Sequence, residues 1–351
     1  MKKGVKLIFF IYLFIFSIEL IKRTSLFLAP NIKDFLSSGL PPIKALAIGW
    51  FTTSIVQSSG AVASITAAFA GNNLVNLQTA VYIIMGAALG TTITALIISL
   101  IIVAKKRRDF RHGFEIALCY SIYSAFLISI VFFLEYFFKL FSRLSFFLAS
   151  MLGGKTSLLK VPDLVSLITS PIIDPLFLRI NKLILLILAF VILIFTLRYV
   201  GKSVIEFFGG EKKTREFINR HLKSKYKTYL IGVLLTAILF SSSITIGLLV
   251  PLAVARLINL KKAIPFILGA NLGTFTDVFL ASLIIGKTAA LATALAYFSF
   301  AVLGGIIFLP NTNFLFKITK YTSKGLIHIS RKKALYLLIA FILIPLLILL
   351  L

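Results

Sequence analysis

Long blocks of apolar residues, separated by short clusters of lysine and arginine, run along the whole chain. Of its 351 residues 59% are hydrophobic, and the mean hydropathy is +1.04. Soluble domains contain about 45–50% apolar residues, and a helix needs roughly 20 of them to cross a bilayer. The blocks therefore predict an all-α, polytopic protein embedded in a lipid bilayer.

The formal net charge of +26 is spread between the apolar blocks and not along one face. This pattern is typical of the cytoplasmic loops of a membrane protein, so we expect no nucleic-acid partner. Cys119, the single cysteine, lies in an apolar stretch, which excludes a disulfide framework and a cysteine-based metal site. The first apolar run, Leu7 to Phe16, is not followed by a small-residue cleavage site, so we predict a retained helix.

The chain contains an internal repeat at a constant offset of 183 residues, from 58 to 241. Small and polar residues carry the matches, which chance rarely produces in such an apolar sequence. They are Ser58-Ser59 with Ser241-Ser242, Gly86-Ala87 with Gly269-Ala270, Leu89-Gly90-Thr91 with Leu272-Gly273-Thr274, Ile48-Gly49 with Ile231-Gly232, Thr53 with Thr236, and Asn76-Leu77 with Asn259-Leu260. We conclude that the chain is a duplication.

Each copy begins with one apolar helix and continues with two interrupted apolar stretches. These lie at about 5–21, 44–70 and 78–104 in copy one, and at about 183–200, 228–255 and 261–286 in copy two. The first interruption, Gln57 to Gly60, leaves halves of about a dozen residues, too short to span a bilayer, which predicts a re-entrant helical hairpin. We expect the second, Gly86 to Thr92, to break its helix in the middle.

The predicted organisation has four parts. They are transmembrane repeat one (1–140), an external connector (141–182), transmembrane repeat two (183–310), and a cytoplasmic basic loop with a C-terminal transmembrane helix (311–351). Further helices are predicted at about 113–138, 288–309 and 333–350.

The positions of lysine and arginine predict that the two repeats are inverted. With a cytoplasmic N-terminus, 26 of the 37 basic residues fall on the inner side of the membrane. Asn73 and Gln78, predicted outside, correspond to Arg256 and Lys261, predicted inside. One pattern thus carries different charge in its two copies, as inverted topology requires.

Two serine-rich segments interrupt the predicted hairpins: Gln57-Ser58-Ser59-Gly60 and Phe240-Ser241-Ser242-Ser243. Each opens a half-helix, whose N-terminal N–H groups favour an anion, and the hydroxyls can donate hydrogen bonds to anion oxygens. Carbonyls freed by broken helices can hold cations, as in many secondary transporters built from inverted repeats. The alternative is that these small residues only permit close helix packing.

These segments resemble the type II sodium/phosphate cotransporter family, which pairs a Gln-Ser-Ser-Ser loop with a Gly-Ala-Asn-Ile-Gly-Thr segment in each of two inverted repeats. The matching residues are Gln57-Ser58-Ser59 with Gly86-Ala87-Ala88-Leu89-Gly90-Thr91-Thr92, and Ser241-Ser242-Ser243 with Gly269-Ala270-Asn271-Leu272-Gly273-Thr274. The resemblance implies sodium-coupled uptake of inorganic phosphate across the cell membrane, with Na+ as the coupled ion. A homodimer is compatible with it.

The resemblance also implies the site residues, position by position. Phosphate is expected between the two serine loops, at Gln57, Ser58, Ser59, Ser241, Ser242, Ser243 and Asn271. Sodium is expected at Gln57, Thr91, Thr92, Thr274 and Asp277.

Four residues depart from the family pattern. Gly60 replaces the third serine of the first loop, Ala88 the usual asparagine, Phe240 the glutamine of the second loop, and Phe275 a small hydroxyl residue. Each lost oxygen is a lost candidate ligand, because sodium takes about five or six oxygens by analogy with other hard cations. The number and identity of the coupled ions therefore stay open.

Asp277 stands in an apolar span where the family has threonine, which copy one keeps as Thr94. A carboxylate inside a membrane segment is costly and by default functional. We hypothesise that it replaces the cation ligand lost with the glutamine at position 240. The alternatives are that it titrates and couples transport to protons, or that it only lines a water-filled space.

The sequence does not favour an enzyme. His112, His221 and His328 lie in predicted cytoplasmic loops, away from the serines, so no base is expected near a nucleophile. The chain also lacks a Walker sequence for ATP. Two alternatives to phosphate uptake stay open: a carrier or exporter of another small anion, and a non-transporting membrane receptor or scaffold.

Overall fold

The computed structural model describes residues 3–37, 40–103, 110–156, 161–207, 224–254, 258–326 and 331–351, together with residues 209, 210, 212, 213, 216 and 256. The helices of the first half are α1 (Lys3–Ser37), α2 (Pro42–Val56), α3 (Ser59–Gly71), α4 (Leu77–Gly90), α5 (Thr92–Val103), α6 (Phe110–Phe138), α7 (Leu140–Thr156) and α8 (Val161–Arg179). Those of the second half are α9 (Lys182–Phe207), α10 (Lys225–Leu239), α11 (Ser242–Val254), α12 (Leu260–Gly273), α13 (Phe275–Ile285), α14 (Thr288–Phe308), α15 (Thr312–Leu326) and α16 (Arg331–Leu350).

Every regular element in the described residues is a helix, as the apolar blocks predict. In the part of the chain that the structure describes, five stretches are long and apolar enough to cross a membrane: Gly4–Thr24, Leu77–Ile97, His112–Phe138, Leu260–Ile285 and Thr288–Phe308. The helices α2 and α3 are shorter, at 15 and 13 residues. The all-helical prediction is confirmed.

The two kinds of interruption predicted from the sequence differ in the structure. Residues 57–58 and 240–241 separate well-defined helices, as expected. The segment from Gly86 to Gly90 is helical instead, and only Thr91 separates α4 from α5. Its φ of −61° and ψ of −26° are close to helical values, and Thr274 is similar at −62° and −20°. The interruption at Thr91 thus lies inside the predicted segment Gly86 to Thr92, while the glycines themselves are helical.

The glycines stay helical because they permit close contact between helices. A Cβ atom on Gly86 would lie 1.8 Å from the carbonyl oxygen of Leu46, and one on Gly269 would lie 2.0 Å from that of Tyr229. The two contacts are equivalent in the repeat, since Gly86 and Gly269 are 183 residues apart and so are Leu46 and Tyr229. Only glycine lets the backbones of α2 and α4, and of α10 and α12, approach this closely. These glycines therefore serve close helix packing.

Helical structure extends into segments for which the sequence predicts a connector and a loop. Most of the connector forms α7 and α8, which pack against α14 and α1 respectively, and residues 312–326 form α15. The start of α7 is stabilised by Glu135, whose carboxylate accepts hydrogen bonds from the N–H groups of Phe141 at 2.8 Å and Ser142 at 3.1 Å. A buried carboxylate thus caps a helix N-terminus.

The helices that follow the serine segments pack across the two halves of the chain. The helix α3 contacts α13 and α14 of the second half, and α11 contacts α5 and α6 of the first half. The first helices of the halves, α1 and α9, also pack together. This exchange of partners places both serine segments inside the same bundle.

Candidate functional site

The two serine segments adopt the same backbone geometry. We call residues 57–60 the first tip and residues 240–243 the second tip. Gln57 (φ 59°, ψ 29°) ends α2 and Phe240 (φ 51°, ψ 32°) ends α10, both in the left-handed region. Non-glycine residues are uncommon there, and a bulky aromatic residue is a clear outlier. Such conformations persist where the surrounding structure enforces them, often at ligand sites.

The next residue of each tip caps the helix that follows. The Ser58 hydroxyl oxygen accepts a hydrogen bond from the N–H of Ala61 at 3.2 Å. The Ser241 hydroxyl oxygen does the same for Ile244, also at 3.2 Å. Serine is a preferred N-cap residue for this reason. Each capping hydroxyl keeps its own proton, which is available for a bond to an anion.

The two tips are in contact although they lie far apart in the chain. The Ser243 hydroxyl donates a hydrogen bond to the Gln57 carbonyl at 3.3 Å. Ser59 and Ser242, the first residues of α3 and α11, are 3% and 2% exposed. The N-termini of two helices therefore lie next to each other in a buried region. Unpaired N–H groups and the positive dipole ends make such a place favourable for an anion.

Two buried tyrosines, which sequence reasoning missed, line the tips. The Tyr297 hydroxyl of α14 lies within hydrogen-bond reach of Ser59 and Thr274. The Tyr120 hydroxyl of α6 lies within reach of Ser242. The signal was the segment Ala-Leu-x-Tyr, which ends at both tyrosines. It recurs at an offset of 177, from 120 to 297, because the second copy has fewer residues between its glycine segment and this tyrosine.

The predicted threonine ligands bond to carbonyls of the helix that precedes them. The hydroxyls of Thr91 and Thr92 donate to the carbonyls of Ala87 and Leu89, both at 3.0 Å. Thr274 donates to the carbonyl of Ala270 at 3.2 Å. These bonds use the hydroxyl proton and leave oxygen lone pairs for a cation.

Asn271 is held away from the tips by a partner of its own. It lies within α12 and is 1% exposed. Its side-chain amide donates a hydrogen bond to the Tyr123 hydroxyl at 3.2 Å. The structure therefore connects Asn271 to α6, and no described contact joins it to a serine of either tip.

Asp277 lies against the first tip. Its side chain is 2% exposed and belongs to the first turn of α13, where the backbone N–H groups of residues 277 and 278 donate to the carboxylate. A Cβ atom built on Gly60 would lie 1.4 Å from its Oδ2 atom. The Oδ1 atom has no hydrogen-bond partner among the described residues. The carboxylate thus fills the space beside Gly60.

Phe240 has a different environment from the one that the sequence suggested. Its ring packs against Phe14 of α1, with 6.2 Å between the ring centroids. The sequence pairs Asp277 with the oxygen lost at Phe240, whereas the structure brings Asp277 to Gly60. The contact between Asp277 and Gly60 could not be seen in the repeat, because it joins residues that are not equivalent.

The other buried carboxylates have structural partners. Glu115 accepts a hydrogen bond from Lys320 of α15 at 2.6 Å, and Glu19 accepts one from Arg23 at 2.9 Å. Among the described residues, no three His, Cys, Asp or Glu side chains are grouped as a transition-metal site would require. The chemistry at the tips is therefore that of hydroxyls, helix N-termini and one carboxylate.

Apolar helices of membrane-spanning length enclose two adjacent serine-capped N-termini, which define a helical, membrane-type protein with a buried polar centre. The chain belongs to the Na+/Pi-cotransporter family, whose model matches residues 13–154 and 192–318. The resemblance seen in the serine and glycine segments is thereby confirmed. The family is one of transporters and not of enzymes.

Several curated proteins are similar to this chain. Sodium-dependent phosphate transport protein 2A of Ovis aries is 23% identical over 427 residues, which cover 96% of this chain and 65% of that protein. Sodium-dependent phosphate transport protein 2B of Bos taurus is 36% identical over 128 residues, or 34% of this chain and 18% of that protein. The uncharacterized protein YqeW of Bacillus subtilis (strain 168) is 40% identical over 87 residues, or 25% of this chain and 28% of that protein.

The chain spans less than two thirds of the length of each of these relatives. No solved structure matches it.

Proposed function

We propose that this protein takes up inorganic phosphate across the cell membrane, driven by sodium ions. The observation that carries this proposal is the contact between the two tips, where the hydroxyl of Ser243 reaches the carbonyl of Gln57. It joins the N-termini of two helices and several serine hydroxyls at one buried place. Membership of the Na+/Pi-cotransporter family and the names of the relatives support phosphate and sodium as the transported ions.

Phosphate is held between the tips in this proposal. The hydroxyls that donate to its oxygens belong to Ser58, Ser59, Ser241 and Ser242. Ser243 joins them when its hydroxyl turns from the Gln57 carbonyl to phosphate, and Gln57 and Asn271 complete the set. The two helix N-termini supply unpaired N–H groups. Since the site is buried, each hydrogen bond to a charged oxygen is worth more than in water. Asn271 acts indirectly, because its side-chain amide donates a hydrogen bond to the Tyr123 hydroxyl.

Sodium is held by oxygens next to the tips. Hard cations take carboxylate, carbonyl and hydroxyl oxygens as ligands, and these are the groups that Gln57, Thr91, Thr92, Thr274 and Asp277 present. The unpartnered Oδ1 atom of Asp277 and the free lone pairs of the threonines fit such an ion. Binding of both ions at one place is what couples their movement.

The two halves act as inverted repeats in this proposal. Their local geometry recurs at the offset of 183: the left-handed residues at 57 and 240, the glycine contacts, and a second left-handed pair at Asn73 and Arg256, both with φ of 57°. Since α2 and α3 are each too short to span a bilayer, we infer that each such pair enters and leaves the membrane on one side. Two halves of opposite orientation can expose one site to either side in turn.

Equilibrium binding tests the proposed site without requiring transport. The purified protein is expected to bind labelled phosphate, and 100 mM NaCl is expected to tighten this binding at least about tenfold relative to choline chloride at the same concentration, since each 1.4 kcal/mol of coupling is tenfold. Competition with sulfate separates phosphate from another small anion. Equal binding in both salts, or none in either, would overturn the proposal.

Accessibility of single cysteines is expected to differ between the halves. Asn73→Cys should react with an impermeant maleimide from outside, and Lys261→Cys from inside, because their flanking charges differ. Both positions are exposed. The background is Cys119→Ser, and since Cys119 is buried, the parent protein serves as the unlabelled control. Labelling of both cysteines from the same side would contradict the inverted arrangement.

A further inference from the structure

Gly60 and Asp277 form a contact between the two halves that leaves no space for a side chain at position 60. A Cβ atom on Gly60 would lie 1.4 Å from Oδ2, 2.5 Å from Cγ and 3.1 Å from Oδ1 of Asp277. Gly60 lies in the first turn of α3, where the helical backbone accepts L-residues without strain. The carboxylate, and not the backbone conformation, therefore requires glycine here.

The pseudo-equivalent residues show a different solution at the second tip. At the offset of 183, Gly60 corresponds to Ser243 and Asp277 corresponds to Thr94. The Ser243 hydroxyl lies on the tip itself, and the buried hydroxyl of Thr94 has no hydrogen-bond partner among the described residues. By the repeat, the positions equivalent to Gly60 and Asp277 are thus two hydroxyl residues, whereas the first tip combines a glycine and a carboxylate. The first tip has no side-chain oxygen of its own at position 60, and the Asp277 carboxylate of the other half of the chain lies there instead.

The carboxylate at the first tip has little to balance its charge. No lysine, arginine or histidine occurs in α3, α13 or α14. The helices α1 and α8 also pack against α13, but no ion pair among the described residues joins a basic side chain of theirs to Asp277. The N–H groups at the start of α13 offset only part of the charge. An isolated buried carboxylate is strongly destabilising unless it is paired or coordinates a cation. Two further oxygens are close, since Tyr297 lies within hydrogen-bond reach of both Ser59 and Thr274.

We propose that Asp277 and Gly60 are a compensating pair, in which the Asp277 carboxylate replaces a tip hydroxyl and forms a Na+ site shared by the two halves. The ligands of this Na+ are a carboxylate oxygen of Asp277 and the hydroxyl oxygens of Ser59 and Thr274. This inference rests on the proposed function, since it identifies one of the sites for the coupled ion. It makes the two halves unequal, because only the site at the first tip carries a full negative charge.

A set of exchange variants tests the pair. Gly60→Ser alone places a side chain on the carboxylate and is expected to lower sodium-driven phosphate uptake at least about tenfold, since overpacking costs typically 1–3 kcal/mol. Asp277→Thr alone removes the carboxylate while position 60 still has no side-chain oxygen, so it should abolish stabilisation by Na+. Gly60→Ser with Asp277→Thr places a hydroxyl at each position, as in the second tip, and should recover uptake and Na+ stabilisation above both single variants.

A matched control variant separates the steric effect at position 60 from the effect of an oxygen atom there. Gly60→Ala with Asp277→Thr has the same room at position 60 but no oxygen there. It should unfold at the same temperature as the Ser/Thr double variant in choline chloride, yet gain less stability from NaCl. The readout is the thermal unfolding temperature of each purified variant in the two salts, with phosphate uptake as the second measurement.

The unfolding temperatures also distinguish this inference from the proposed function. In choline chloride, the unfolding temperatures measure the steric conflict between the side chains at positions 60 and 277. This measurement does not depend on whether phosphate is transported. The pair is overturned if Gly60→Ser unfolds like the wild-type protein, or if the double variant is no more stable than Gly60→Ser. The Na+ site is overturned if Asp277→Thr keeps the full stabilisation by NaCl while the wild type takes up phosphate.

Discussion

Replacement of Ser242 by alanine should raise the phosphate concentration for half-maximal uptake at least about tenfold, because a hydrogen bond to a charged oxygen is worth about 1.5–3 kcal/mol. Ser242 begins α11 and is 2% exposed. Its hydroxyl lies where the two tips meet, so the lost donor cannot be replaced by bulk water. The measurement is initial uptake of labelled phosphate over a range of concentrations at saturating NaCl.

Two control variants show whether Ser242 acts on phosphate directly. Ser129→Ala removes a hydroxyl that is exposed on α6 and donates only to the Ala125 carbonyl, and it should leave half-saturation unchanged. Tyr120→Phe removes the tyrosine hydroxyl near Ser242, and its effect should be smaller than that of Ser242→Ala. Wild-type half-saturation in both Ser59→Ala and Ser242→Ala would remove the tips from the phosphate site.

Asp277→Asn should weaken sodium dependence far more than phosphate binding. The change keeps the size of the side chain and removes its charge, so the half-saturating Na+ concentration should rise at least about tenfold. Half-saturation for phosphate at the highest Na+ concentration should change much less. Asp174→Asn is the matched control, since Asp174 is exposed on α8 and pairs with Arg23 at 2.6 Å.

The proton alternative predicts a different result from the same variant. In a proton-coupled carrier, an imposed pH gradient without sodium would drive uptake by the wild type, and Asp277→Asn would abolish that response. Asp277→Thr alone should not restore sodium dependence, because Gly60 and Phe240 still supply no side-chain oxygen. If Asp277→Asn left both sodium and pH dependence unchanged, Asp277 would be only a polar residue in the lining of the site.

The constant repeat offset made most of the helices and both tips predictable. Matching serines at that offset identified residues 57–60 and 240–243 as interruptions, and the structure separates helices at both. The glycine segments gave the region of the interruption but not its residue, because glycine is favoured both where a helix breaks and where two helices make close contact. The contact of Gly86 with the Leu46 carbonyl decides between these two uses. This contact is visible only in the three-dimensional structure.

The residues around the tips were harder to predict for two reasons. Tyr120 and Tyr297 follow a different offset from the rest of the repeat, so a search at one offset misses them. The contact of Asp277 with Gly60 joins α13 to α3 across the halves, and no pattern within one copy contains it. The sequence did identify both positions as departures from the family pattern. Their compensation became visible only when the two departures were found in contact.

Phosphate flux across a membrane tests the central claim most directly. The purified protein is reconstituted into liposomes, and uptake of labelled phosphate is measured with an inward Na+ gradient and, in parallel, with choline replacing Na+ on both sides. The proposal predicts phosphate accumulation that requires the Na+ gradient and disappears when Na+ is equilibrated or replaced by choline. Uptake at the same rate in choline, or no phosphate flux under any Na+ gradient, would contradict it.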